Sequence, residues 1–171
     1  MIDPHAMIER LARFPDALEG AAGSVSANDA RWKPGPEHWA IVEIVAHLAD
    51  EEAFDFRMRV RMTLDNPVAP WPQIDPEGWA DERRYIDRDC AAELTRFRGE
   101  RASSIEWLRT LSDPDWMRTY EHPVFGPISA GDVFASWCAH DALHLRQISR
   151  RLFQLAQRDG MPFATRYAGE W

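Results

Sequence analysis

His140 and His144 stand four residues apart in a stretch, Ser129 to about Arg158, that has the apolar rhythm of one long helix. At about 100° per residue such a pair projects from one face, one turn above the other. Val133, Trp137, Ile148 and Leu155 fall on the same stripe, so both imidazoles belong to the buried side. An imidazole pair stripped of water needs a partner. Two histidines at this spacing can hold one divalent metal ion from a single helix. A third ring is available in His47, at the edge of the stripe Ile41, Ile44, Val45 and Leu48. Three imidazoles would leave coordination positions open, which suits a catalytic ion better than a structural one. The plainer reading keeps all three as hydrogen-bonded core histidines, and spacing alone leaves both readings standing.

Two further side chains are candidate catalytic groups. Glu51 follows His47 by four and would serve as an acceptor behind the ring or as a base holding water. Its plainer reading is a solvated charge in the run Asp50-Glu51-Glu52. Arg151 follows His144 by seven and would hold an anionic group of a substrate or of a thiol cofactor. Its plainer reading is a salt bridge at the helix end. Gln147 shares that inner stripe. Asp141 points about 100° away from His140 and is expected to cap or to pair with arginine elsewhere. His5 and His38 read as solvated, and His122 as a loop residue with a conceivable place at the bundle mouth. Cys90 and Cys138 are far apart and read as packed free thiols. No Ser-His-Asp arrangement, GxGxxG, P-loop or CxxC is present.

Four helical segments must position these groups. The first runs from about Pro4 to Gly20 or a little beyond, with Met7, Ile8, Leu11, Phe14 and Leu18 on its inner side; Pro15 should kink or split it. The second runs from Trp39-Ala40 to about Leu64, and the third from about Arg88 to Leu111, with Arg101 on its buried side. The fourth opens on a Ser129/Asp132 capping box. Residues 66–88 form a long connection rich in Pro and Trp, read as a cover across one end of the bundle. Residues 113–128 form an irregular linker with the makings of a short hairpin. Several tryptophans (Trp32, Trp39, Trp71, Trp79) sit in such connections, where they would cap a bundle or line a cleft.

The chain of 171 residues has the size of a single domain, 1–171, and is expected to be all-α, a four-helix bundle with long connections. Its net charge of −8 argues against nucleic-acid partners and against an anionic membrane surface. No signal peptide or spanning segment is visible, so a cytoplasmic location is expected. Tryptophans taken as exposed and the amphipathic half of the second helix make a homodimer the oligomeric expectation.

The segment Trp39-Ala40-Ile41-Val42-Glu43-Ile44-Val45-Ala46-His47-Leu48-Ala49-Asp50 resembles the first signature of the DinB/YfiT-like superfamily. His140-Asp141-Ala142-Leu143-His144-Leu145-Arg146-Gln147-Ile148 is similar to its second, H-x-x-x-H-x-x-Q-[IL]. The frequent serine after the tryptophan is Ala40 here, which weakens a helix cap and leaves the histidines untouched. The resemblance implies a four-helix bundle whose second and third helices are joined by a long crossover. It implies a divalent metal, usually nickel or zinc, on His47, His140 and His144. It also implies a small-molecule substrate and chemistry in which a low-molecular-weight thiol is activated, as in S-transferases and a thiol-dependent isomerase. Metal-dependent hydrolysis, or a metal-binding stress or interaction protein without turnover, remain the alternatives. Imidazole binds metal only when neutral, so affinity is expected to fall below about pH 6.

Overall fold

The computed structural model describes residues 2–171. Along the chain lie α1 (Pro4–Ala22), α2 (Ala27–Arg31), α3 (Ile41–Glu51), a π-helical turn (Glu52–Phe56), α4 (Arg57–Asp65), α5 (Trp79–Glu82), a 3-10 turn (Tyr85–Asp87), α6 (Cys90–Thr110), β1 (Thr119–His122), β2 (Gly126–Ser129) and α7 (Ala130–Asp159). The four expected helices are present, the second being α3, the π turn and α4 in one continuous rod. Each start has a local cause. Asp3 accepts the Ala6 amide, Asp89 accepts the Ala92 amide, and Ser129 and Asp132 cap one another's backbone amides. At α3 the cap is half built. Ala40 has no hydroxyl, but the Glu43 carboxylate accepts the Ala40 amide at 2.7 Å and is held by Lys33.

Pro15 does not split α1. A proline lacks the N–H that would bond the carbonyl four residues earlier. Here the freed Leu11 carbonyl accepts a hydrogen bond from Arg101 Nη1 on α6 at 3.0 Å, so the helix runs on without an orphaned buried oxygen.

The packing pattern sets the topology. α1 lies against α6 and α7, while α3 lies against the same two helices. Around the bundle the order is therefore first, third, second, fourth. Contacts at Ala46/Arg96 and Arg57/Glu100 show the second and third helices running in the same direction. Parallel neighbours need a connection as long as the bundle, and residues 66–89 supply it. This crossover is packed, not loose. Trp79, Ala80 and Tyr85 press on Ala46 of α3. Tyr85 donates to Asp50 at 2.6 Å, and Arg83 and Arg96 pair with the same carboxylate. Farther up, Trp71 stacks on Tyr120 of the hairpin, 4.3 Å between ring centres. The hairpin expected before the last helix is formed by β1 and β2, with Gly126 at φ +73° completing the turn.

Of the eight tryptophans, Trp71, Trp79 and Trp137 are buried, Trp32, Trp39, Trp107 and Trp116 are half-buried, and Trp171 is exposed. No helix of the described residues is long and apolar enough to cross a membrane.

Candidate metal centre

α3 brings His47 and α7 brings His140 and His144 to one point. The Nε2 atoms of His47 and His140 are 3.3 Å apart, and those of His140 and His144 are 3.0 Å apart. Two nitrogens each about 2.0–2.1 Å from a common ion would be about 2.9–3.4 Å apart at ordinary coordination angles. Hydrogen bonding does not explain the cluster equally well. The His140 Nε2 faces two other ring nitrogens and can hold at most one proton, so it cannot satisfy both. His144 Nδ1 lies 2.9 Å from the Gln147 amide oxygen. That bond places the proton on Nδ1 and leaves the inward Nε2 as a lone-pair donor. The donor set fits a divalent ion.

The rings are also in the right charge state. Burial, and then the charge of His144, pushes the His47 pKa down to about 3. Burial and the other two histidines push His140 down to about 2. His144 is likewise lowered by burial, against the opposing pull of Gln147. All three are neutral at physiological pH. Trp39 covers them, its ring 4.8 Å from His47 and nearly parallel to His144. Phe56, in the π turn, packs 4.9 Å from His140.

The triad forms the floor of an open cleft of about 770 Å³, a size that suits a small organic molecule. Trp39, Glu51, Gln147 and Arg151 form its walls, while Asp75, Pro76 and Glu77 reach it from the crossover. The crossover thus contributes a wall of the cleft as well as packing against the bundle.

Several expectations need correction. Glu51 is not a solvated charge: it is 4% exposed, and Asp50 and Glu52 are buried with it. Asp50 is held by Tyr85, Arg83 and Arg96, and Glu52 by Arg101 and Trp137. Among the described residues Glu51 has no cationic partner within 4.0 Å, and its Oε1 is unbonded. Burial, then the neighbouring Asp55 carboxylate, raises its pKa far above the ordinary carboxyl range. Asp55 itself went unnoticed in the sequence, although its i, i+4 spacing from Glu51 was a readable signal.

Arg151 makes no salt bridge at the helix end. It is 4% exposed, and no carboxylate of the described residues comes within 4.0 Å of its nitrogens. Its Nε donates to the Trp39 carbonyl at 2.7 Å and its Nη1 to the Gln154 amide oxygen. Asp141 does pair with an arginine, Arg101. His38 sits on the cleft rim beside Glu37, closer to the site than expected. His122 is away from it, its Nδ1 accepting two amides of the hairpin turn. Both cysteines are half-buried and free, with burial pushing each thiol up to about 11, so neither is a ready nucleophile.

Residues 10–148 match the model of the DinB superfamily. The sequence is 30% identical over 113 residues to OB0782 of Oceanobacillus iheyensis, named as a candidate metal-dependent hydrolase. That match covers 65% of this chain and 63% of the relative. It is 24% identical over 120 residues to YfiT of Bacillus subtilis, named likewise, covering 67% of this chain and 66% of YfiT. The matched stretches thus span just under two thirds of both relatives. The solved structure of YfiT, described as an unusual four-helix bundle topology, superposes with a TM-score of 0.80 at 20% identity, covering 94% of this chain and 91% of that one.

Proposed function

The chain belongs to the DinB superfamily, and from that membership and the site's geometry we propose that it is a divalent-metal-dependent enzyme that activates a low-molecular-weight thiol for transfer or isomerisation. The observation that carries this reading is the convergence of three neutral imidazole nitrogens on the floor of an open cleft. His47, His140 and His144 would hold the ion, with Gln147 fixing the tautomer of His144. A divalent ion there supplies Lewis-acid activation, bringing the pKa of a coordinated thiol or water toward neutrality. The protein's own part is to keep the rings unprotonated, to exclude bulk water behind Trp39, and to manage protons. Glu51, whose proton is held by burial and by the neighbouring Asp55 in the metal-free protein, is placed to exchange a proton with a ligand in the cleft.

A second reading, hydrolysis of a small ester or amide, uses the same parts and is favoured by the names of both relatives. A protein purified without a histidine tag, analysed for nickel, zinc and other divalent metals, tests the shared premise. About one ion per chain is expected, falling below about a tenth in His144→Ala. The loaded protein is then assayed for conjugation of electrophiles with several thiols and for ester hydrolysis. Conjugation supports the first reading. Hydrolysis without thiol dependence supports the second. A bound ion with neither activity means a metal-binding protein without turnover, and no ion removes both enzymatic readings.

A further inference from the structure

Arg151 carries a full charge into the cleft wall with no carboxylate to meet it. The other arginine among the buried residues, Arg101, has two anionic partners, Glu52 and Asp141. Burying a guanidinium without a direct ion pair is costly. Glu37 and Glu43 act on Arg151 only from beyond contact distance, and two of its nitrogens are already committed, to the Trp39 carbonyl and the Gln154 amide. Those two bonds fix the plane of the group and leave Nη2 without a protein partner. The position is suited to a ligand of the triad. Seven residues are two turns, about 10.5 Å along the helix axis and about 20° round it. His144 and Arg151 accordingly line the same cleft, with Trp39 between them: its ring lies nearly parallel to His144 and its carbonyl accepts from Arg151. Glu37, Asp75 and Glu77 also line the cleft, and their charge disfavours polyphosphates and other polyanions.

We infer that Arg151 is an anion-binding subsite of the cleft that takes a carboxylate of the small-molecule ligand, a few bonds from the atom held at the triad. This rests on the reading of the cleft as the substrate site. It narrows the substrate class to small carboxylate-bearing molecules and makes Arg151 a specificity-determining residue.

The test uses two pairs of probes that differ only at a carboxylate: N-acetylcysteine with its amide, and glutathione with its glycine ethyl ester. Dissociation constants are measured by calorimetry on metal-free and metal-loaded protein, with metal content determined on the same samples. At least about a tenfold preference for the acid is expected in one pair or both. It should persist without metal, fall to near unity in Arg151→Gln, and be partly retained in Arg151→Lys, which keeps the charge but loses the planar fork. Metal content should not change. Equal binding of acid and neutral probe, no measurable binding of either acid, or an unchanged preference in Arg151→Gln overturns the inference. If Arg151→Gln fails to fold, Arg151→Lys decides, and a preference equal to wild type counts against it. An intact preference in a protein that never binds metal would sink the metal reading and leave the subsite standing.

Discussion

At the scale of single residues, the chemistry of the site depends on where protons sit. An exposed imidazole titrates near 6.5, but burial holds His47 down to about 3 and His140 down to about 2. Between those values and about 6.5 the unfolded chain binds protons that the folded chain refuses. The metal-free protein therefore keeps the full contribution of these rings above about pH 6.5 and loses it progressively as pH falls. Urea unfolding in EDTA should show a loss of about 1.4 kcal/mol per pH unit for each ring involved, and His47→Gln should remove one ring's share of the slope. A flat stability between pH 4 and 6.5 would contradict this. The same shift moves metal release. The sequence suggested a fall in affinity below about pH 6, but rings that stay neutral to lower pH compete less with protons. Half-release on dialysis is expected below about pH 5, and a midpoint at 6 or above would mean that the rings titrate as exposed imidazoles do. Glu51 runs the opposite way. Glu51→Gln keeps the shape and the hydrogen of the protonated carboxyl, so metal content should hold while turnover falls by about 10²-fold or more if the proton is used. Unchanged turnover would reduce Glu51 to packing.

At the scale of elements, the second helix and the crossover do most of the positioning. The π turn at Glu52–Phe56 interrupts the α-helical phase, as such turns often do near functional sites. It lets Glu51 face the cleft, Glu52 the bundle centre and Phe56 the His140 ring. The crossover is anchored by Tyr85 on Asp50, three residues from His47. Tyr85→Phe should cost about 1–2 kcal/mol and loosen residues 66–88, read as faster amide exchange there than in α6. Equal exchange in both proteins would show that Arg83 and Arg96 suffice as anchors. These elements also mark how far a sequence can be read. The helices were visible because their apolar spacing is local, and i, i+4 spacing with stripe phase put His140 and His144 on one buried face. That they share a metal with His47 was implied by the resemblance of the two signatures, since spacing alone left core histidines as an equal reading. The burial of Asp50-Glu51-Glu52 was not visible, because the groups that make it tolerable lie far along the chain: Arg83, Tyr85, Arg96, Arg101 and Trp137. The π turn left no periodic signature strong enough to separate it from a plain amphipathic helix. The salt bridge expected for Arg151 failed for a related reason, since its partners turned out to be a backbone carbonyl 112 residues away and an amide.

At the scale of the whole molecule, one buried cation ties the bundle together. Arg101 of α6 is 1% exposed and touches every other long helix: the Leu11 carbonyl of α1, Glu52 of the π turn and Asp141 of α7. Trp137 closes the network by donating its indole N–H to Glu52 at 2.8 Å. Both carboxylates are chain neighbours of site residues, Glu52 of Glu51 and Asp141 of His140, so the node that sets the helix spacing also sets the floor of the cleft. Removing the cation alone leaves two buried negative charges facing each other. Arg101→Met is therefore expected to cost about 3–5 kcal/mol, more than a cavity of that size would. The mechanism can be separated from simple loss of packing by removing the charges as well. Arg101→Met combined with Glu52→Gln and Asp141→Asn keeps the volume and still offers Trp137 an acceptor, so it should recover at least half of the lost stability in urea unfolding. If the triple variant is no more stable than Arg101→Met, the arginine acts through its bulk and its bond to the carbonyl freed by Pro15, and the electrostatic account of the bundle centre is wrong.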